Sequence, residues 1–144
     1  MIKLVLTDLD DTLISHGLPH ASAKALAAIH TVLDAGVHFG PASGRVPWDI
    51  GWMFCGDAQC HATGVLLNGQ MVFLDGELVR EVPLPTGALE QVAECISTYP
   101  GAGLVLYEPG QTTVVGMDIE ALQKHRPAFS TVDRVALHVP DRVW

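Results

Sequence analysis

Three carboxylates within four positions, Asp8, Asp10 and Asp11, are the residues of this chain best suited to chemistry. They follow directly on the apolar run Ile2–Leu6, which is typical of a buried strand. Strand alternation predicts that Asp8 and Asp10 point to the same side, where two adjacent negative charges favour a bound cation or a shared proton. One carboxylate can then act as a nucleophile while its neighbour handles protons. A solvated acidic turn is the alternative, and the abrupt change from apolar strand to acids favours a site.

Alternating apolar strands and helical patterns place these acids in an α/β fold with parallel strands. Ser22 predicts the start of a helix that runs to about Asp34, and Gly36 predicts its end. Apolar runs predict a second strand at residues 37–42 and a third at residues 64–67. Ligands of such sheets bind at the carboxyl ends of the strands.

The second half of the chain has a different pattern of strands and turns, which predicts a separate region with a boundary near Asn68 to Gln70. Asp75-Gly76 between apolar runs is typical of a hairpin turn. Thr86 and Asp118 are predicted to cap helices. The strands predicted in this half cover residues 71–74, 77–82, 104–107, 112–115 and 134–139.

The composition excludes several classes of protein. The chain has 144 residues, a net charge of −8 and 49% hydrophobic residues, which argues against intrinsic disorder. No basic stretch is present to bind nucleic acid. No signal peptide or membrane-spanning run is predicted, so we expect a cytoplasmic protein without a membrane partner. Cys55, Cys60 and Cys95 form no CxxC pair, which favours buried or idle thiols over metal ligands.

Three motifs together resemble those of a known superfamily. The run Asp8-Leu9-Asp10-Asp11-Thr12 resembles the DxDxT signature of the haloacid dehalogenase-like (HAD) hydrolases, in the form seen in phosphatases. Ser43-Gly44-Arg45 is similar to their second motif, and Asn68-Gly69 before a hairpin resembles the Cof-type branch with a C2-type cap. The resemblance implies a Rossmann-like parallel α/β core at residues 1–69 and an inserted α+β cap domain at residues 70–144.

The resemblance assigns roles to the first motif. Asp8 would be the nucleophile that attacks phosphorus and forms an aspartyl-phosphate. Asp10 would protonate the leaving alcohol and then activate water, and Thr12 would fix the loop at the phosphate. Mg²⁺ would bind the Asp8 carboxylate and the backbone carbonyl of Asp10, where it neutralises charge between two anions.

The second motif is expected to bind the phosphoryl group. Ser43 would donate its hydroxyl and the adjacent backbone N–H to the phosphoryl oxygens, with Gly44 and Arg45 beside it. For Arg45, a surface or ion-paired role is an equal alternative. The reaction that the resemblance implies is Mg²⁺-dependent hydrolysis of a small phosphorylated metabolite such as a sugar phosphate.

The sequence departs from the family in two ways. Gly40-Pro41 interrupts the second strand, where a continuous apolar run is usual. The phosphate-binding lysine and the late GDxxND motif have no counterpart, because Lys3, Lys24 and Lys124 lack a suitable context and Gly56-Asp57 precedes the third strand. We therefore expect the first half of such an enzyme, without the C-terminal half of the core. Its Mg²⁺ site would be incomplete, its own activity weak or absent, and its open core would favour self-association.

Two other functions stay open. The chain can be a degenerate fragment that binds a phosphate ligand, or that folds only with a partner, without catalysis. A two-component receiver domain would also be small, acidic and α/β. Its phosphoacceptor aspartate would end the third strand, where this chain has Leu67-Asn68. The receiver function is therefore the least favoured of the three.

The neighbours of the acidic cluster are expected to have structural roles. Asp11 is predicted to face away from the site or to cap the turn after it. His16 and His20 are interpreted as loop residues rather than catalytic groups. A helix is predicted around residues 48–54, and its aromatic side chains are expected to pack inside the protein: Trp48, Trp52 and Phe54.

Overall fold

The computed structural model of the chain describes residues 1–108, 110–125, 132–141 and 143–144. Its strands and helices are, in order, β1 (Leu4–Thr7), α1 (Ala23–Asp34), β2 (His38–Pro41), β3 (Gly64–Leu66), β4 (Met71–Leu74), β5 (Glu77–Glu81), α2 (Thr86–Ser97), β6 (Leu104–Glu108), β7 (Gln111–Val115), α3 (Ile119–His125) and β8 (Arg134–Ala136). The chain divides into two compact units, Met1–Val82 and Pro83–Trp144. Among the described residues, no helix has the length and apolar character needed to cross a membrane.

The first unit begins with a strand–helix–strand element whose strands β1 and β2 are parallel, as the sequence predicts. The Ser22 side chain accepts a hydrogen bond from the backbone N–H of Ala25 and so caps α1. Gly36, with φ of 73°, turns the chain after the helix into β2. Local capping chemistry therefore sets both ends of the crossover that brings β2 beside β1.

β1 departs from the predicted buried strand. Leu4 and Leu6 both stay exposed. β1 pairs only with β2 among the described residues, so one of its edges has no strand to cover it. The core of this unit lies around α1 and the segments that follow β2, and its most buried side chains are Leu9, Ile50, Phe54, Cys60, Met53 and Leu66.

The chain at Gly40 of β2 closely approaches the backbone just before β3. A Cβ atom on Gly40 would lie 1.8 Å from the backbone oxygen of Thr63, so only glycine leaves room there. Beyond Pro41, where β2 ends, Ala42 forms a parallel bridge with Val65 of β3. The carboxyl ends of β2 and β3 are thereby held side by side.

The hairpin β4–β5 is confirmed, with Asp75 and Gly76 both at positive φ, as a tight hairpin turn requires. β4 also pairs antiparallel with β3. The compact units consequently divide after the hairpin, between Val82 and Pro83. The assignment of residues 70–144 to a cap domain stays a prediction.

The single helix predicted around residues 48–54 is not present in the structure. Two short 3₁₀-helices stand there instead, at Pro47–Asp49 and Gly51–Phe54. Short 3₁₀ turns suit a segment that lacks a continuous apolar stripe. Phe54 is fully buried, which confirms its predicted packing inside the protein. Trp48 and Trp52 keep 38% and 48% of their surface exposed, so the same prediction is wrong for them.

The second unit contains α2 and the sheet β6–β7–β8, in which β7 and β8 are parallel. The predicted Thr86 cap is wrong by one position, because Thr86 is already helical and its hydroxyl donates to the backbone oxygen of Asp141. The predicted Asp118 cap is confirmed by its hydrogen bond from the Ala121 N–H at 2.6 Å. The last strand, β8, ends at Ala136 rather than at residue 139. Pro127, before which the sequence requires the helix capped by Asp118 to end, lies outside the described residues.

Candidate functional site

The ends of β1, β2 and β3 converge on one another. The backbone N–H of Ala42 donates to the Thr7 carbonyl at 2.8 Å, and the N–H of Ser43 donates to the Val65 carbonyl at 2.9 Å. Asp8 follows β1 directly and Ser43 lies just beyond β2. The first and second motifs therefore meet at the carboxyl edge of the strands, which is where ligands of α/β sheets bind.

A cavity of about 310 Å³ opens at this edge. Its polar side chains are those of Asp8, Ser43 and Asn68. The full lining is Asp8, Ala42, Ser43, Gly44, Val65, Asn68 and Gly69. A carboxylate residue, a hydroxyl residue and a glycine thus line one cavity, and this combination suits an anionic ligand beside a nucleophile.

Thr12 lies beside Asp8 because the acidic segment folds back on itself. The backbone N–H of Leu13 donates to the Asp8 carbonyl at 3.3 Å, and the N–H of Thr12 donates to the Leu9 carbonyl at the same distance. This turn directs the Thr12 hydroxyl to Oδ2 of Asp8, at 3.2 Å. One oxygen of the Asp8 carboxylate is thereby held in place. Thr12 therefore contacts the expected nucleophile, and its role in fixing the loop at the phosphate stays a prediction.

Asp10 and Arg45 form a bidentate ion pair between the first and second motifs. The Arg45 Nη2 atom lies 2.7 Å from Oδ1 of Asp10, and Nε lies 3.2 Å from Oδ2. This hydrogen bonding raises the pKa of Arg45 above its ordinary value. Of the two roles predicted for Arg45, the structure shows the ion-paired one.

Replacing Arg45 with glutamine is expected to lower the free energy of unfolding by less than about 1 kcal/mol, because the paired side chains are largely exposed and water screens them. Urea denaturation followed by circular dichroism measures the change. The matched control is Arg80→Gln, an exposed arginine on β5. A loss above about 2 kcal/mol for Arg45→Gln alone would contradict the weak contribution expected of an exposed pair.

Asn68 lines the cavity, although the sequence predicted it only as part of the Asn68-Gly69 motif and as a domain boundary, and not as a site residue. Its φ of 54° places it in the left-handed region, which asparagine tolerates better than most residues. A Cβ atom on Gly44 would lie 2.9 Å from Oδ1 of Asn68. Gly44 therefore lets the Asn68 amide approach the backbone of the second motif. The Asn-Gly pair is a signal of positive φ, but only the fold shows that it turns the side chain toward the cavity.

The remaining neighbours of the acidic cluster have local partners. Asp11 sits at φ of 61°, and its Oδ1 lies 3.2 Å from Nδ1 of His16. The His20 ring nitrogen Nδ1 lies 3.1 Å from the carbonyl oxygen of Ala21. Asp11 therefore has a structural role in the turn, as predicted, and both histidines make local contacts within the loop.

Comparison with known proteins gives the same fold and the same superfamily. The family described as haloacid dehalogenase-like hydrolase matches residues 5–137. A phosphatase of the HAD superfamily from Bacteroides thetaiotaomicron is 25% identical, with a TM-score of 0.73 over 94% of this chain and 50% of its own. A HAD subclass IIB sugar phosphatase is 16% identical, with a TM-score of 0.70 over 93% of this chain and 52% of its own.

A protein from Streptococcus mutans has a TM-score of 0.77 at 15% identity and covers all of this chain, which matches 55% of that protein. The chain spans about half the length of these solved structures. A comparison with curated proteins finds none that matches. The family match extends over most of the chain and includes the strand ends that form the cavity, so the chain belongs to the haloacid dehalogenase-like hydrolases.

Proposed function

We propose that this chain carries the nucleophile half of a Mg²⁺-dependent phosphoric monoester hydrolase. One observation carries the proposal: the Asp8 carboxylate and the Ser43 hydroxyl line the same cavity at the carboxyl ends of β1 and β2. A carboxylate can attack phosphorus, and a hydroxyl with nearby backbone N–H groups can bind the phosphoryl oxygens. Membership of the HAD-like hydrolases supports this pairing of roles.

Asp8 forms the covalent intermediate. The Thr12 hydroxyl binds Oδ2 of Asp8, which leaves Oδ1 as the attacking atom. Before the reaction, Asp10 separates from Arg45 and takes up a proton from solvent. The bond from Oδ1 to phosphorus forms while the bond from phosphorus to the ester oxygen breaks, and Asp10 gives this proton to the leaving alcohol. Water then attacks the phosphorus and returns a proton to Asp10. The bond to Oδ1 breaks, and inorganic phosphate and the free Asp8 carboxylate remain.

The first motif offers two oxygen donors of the kind that Mg²⁺ prefers, which is part of a complete ligand set. The Asp8 carboxylate and the Asp10 backbone carbonyl would hold the ion, and both supply the oxygen ligands that this hard cation prefers. When bound, the ion neutralises charge between the carboxylate and the phosphate.

The substrate we propose is a small phosphate ester, such as a sugar phosphate, in the cytoplasm. A cavity of about 310 Å³ suits a phosphoryl group with a small organic part. The fold shared with a HAD subclass IIB sugar phosphatase supports a sugar as that part.

A second function is a phosphate-binding module without turnover. The observation that favours it is that the chain spans about half the length of the solved structures it matches. In this function the cavity binds the phosphoryl group, and Asp8 does not become phosphorylated. The two functions therefore differ in whether a covalent bond forms between Asp8 and phosphorus.

The test is to incubate the chain with p-nitrophenyl phosphate, with and without Mg²⁺, and to quench it in acid. We expect weak p-nitrophenolate release that needs Mg²⁺, together with a phosphoryl adduct that peptide mapping places on Asp8. Binding of the ester without an adduct or release would support the binding module instead. An adduct on another residue would exclude the proposed nucleophile.

A further inference from the structure

A second cluster of ligand-type side chains lies in the first unit and shares no residue with the strand-end cavity. His30 belongs to α1, and Asp57 and Cys60 belong to the segment around the 3₁₀-helix Ala58–His61. Their nitrogen, carboxylate and sulfur atoms all lie within 4.8 Å of one another. We propose that His30, Asp57 and Cys60 form a binding site for a single Zn²⁺ ion, which joins α1 to the segment that follows β2.

The donor set suits zinc. Imidazole nitrogen, carboxylate oxygen and thiolate sulfur are its common protein ligands, and a site with three of them completes its tetrahedron with water. Such a tetrahedron, from bond lengths of about 2.0 to 2.3 Å, separates its ligand atoms by about 3.3 to 3.6 Å. Here Nε2 of His30 lies 2.7 Å from Oδ2 of Asp57 and 4.0 Å from Sγ of Cys60. The carboxylate and the sulfur lie no more than 4.8 Å apart, so movements of about 1 Å bring all three atoms to bonding distance.

The backbone already orients the carboxylate. Oδ1 of Asp57 accepts a hydrogen bond from the N–H of Gln59 at 3.2 Å and so caps the 3₁₀-helix. The other oxygen, Oδ2, consequently faces His30. The N–H of Cys60 donates to the Asp57 carbonyl at 3.2 Å, which fixes the sulfur relative to the same carboxylate. Two of the three ligands are thus positioned by one turn of backbone, and this lowers the cost of ordering them.

The three side chains of the cluster differ in burial, and the exposed side leaves room for a fourth ligand. Cys60 is fully buried. The side chains of His30 and Asp57 keep 38% and 31% of their surface exposed. Water can therefore reach the ion from the exposed side, while the protein holds the sulfur from within. A buried thiol also resists oxidation better than the exposed Cys55 and Cys95.

Binding rearranges two protons. The S–H bond of Cys60 is replaced by a bond from sulfur to Zn²⁺, and the thiol proton leaves to solvent. Zn²⁺ would bind His30 at Nε2, so any proton on that nitrogen leaves it and the neutral imidazole carries its remaining proton on Nδ1. Burial, with the Asp57 charge as a second cause, raises the pKa of Cys60 to about 11. Zinc must therefore displace a firmly held proton, and its affinity rises with pH.

The alternative for this cluster is an ion pair between His30 and Asp57 beside a buried thiol. In that case, hydrogen bonding from His30 lowers the pKa of Asp57, as the geometry already implies. Divalent metals would then bind no more tightly here than at any exposed histidine. The two interpretations differ in whether sulfur bonds to the metal.

The test titrates the whole chain with Co²⁺ at pH 8, with millimolar Mg²⁺ present to occupy the carboxylates at the strand ends. We expect one equivalent to bind with a sulfur-to-cobalt charge-transfer band, and Zn²⁺ to displace it. Cys60→Ser should abolish the band and weaken Zn²⁺ binding by about 100-fold or more. Cys95→Ser and Cys55→Ser are the matched controls and should keep both.

Cobalt bound without a charge-transfer band would overturn the site, as would Zn²⁺ binding to Cys60→Ser within about threefold of the unchanged chain. Far-UV circular dichroism checks that each variant is folded. If Cys60→Ser does not fold, His30→Gln carries the test, because it keeps the thiol but should lose the same affinity. None of these measurements depends on phosphatase activity, so their failure is distinct from failure of the proposed function.

Discussion

Replacing Asp8 with asparagine is expected to lower the weak Mg²⁺-dependent release of p-nitrophenolate to the uncatalysed background, because removal of a covalent nucleophile costs about 10⁴-fold or more in rate. The amide keeps the shape of the side chain and can still accept from Thr12, which donates to Oδ2 of Asp8. It lacks the negative charge that attacks phosphorus. Release of p-nitrophenolate and the yield of phosphoryl adduct measure the effect.

Asp11→Asn is the matched control, because it makes the same chemical change three positions away. Asp11 sits at φ of 61°, a conformation that asparagine also tolerates, so the backbone should not change. We expect its rate to stay within about twofold of the unchanged chain, since Asp11 contacts His16. Equal rates for Asp8→Asn and Asp11→Asn would assign the chemistry to another residue.

Replacing Gly40 with alanine is expected to destabilise the first unit by about 3 kcal/mol or more. The added methyl group would lie 1.8 Å from the backbone oxygen of Thr63. Backbone cannot rotate aside as a side chain can, so β2 and β3 would have to separate. Urea denaturation followed by circular dichroism measures the loss.

Gly51→Ala is the control for this change in the same unit. A Cβ atom on Gly51 would meet its nearest neighbour, Nε2 of His61, at 3.7 Å, which is ordinary van der Waals contact. We expect a change of less than about 1 kcal/mol. If Gly40→Ala were as stable as Gly51→Ala, the close approach of β2 to Thr63 would be excluded.

The sequence predicted elements whose ends depend on local chemistry. Ser22 and Gly36 bound α1 because capping and positive φ involve only neighbouring residues. The hairpin at Asp75-Gly76 is predicted for the same reason. Thr86 was misplaced as a cap because its hydroxyl bonds to Asp141, a distant residue that competes with the local role.

The site was predicted in part. The DxDxT spacing and the residues after β2 were enough to bring Asp8 and Ser43 to one edge. Asn68 was missed because the direction of a side chain in a turn depends on the fold around it. The cluster of His30 and Asp57 was missed because these residues lie 27 positions apart, and no spacing rule connects them.

The distribution of the cysteines gives this chain native labelling positions. Cys55 belongs to the first unit and Cys95 to the second, and both are exposed. Cys60 is buried, so a maleimide reagent should react with the other two first. A donor and an acceptor fluorophore on Cys55 and Cys95 would therefore report the separation of the two units in solution by energy transfer, without any introduced cysteine.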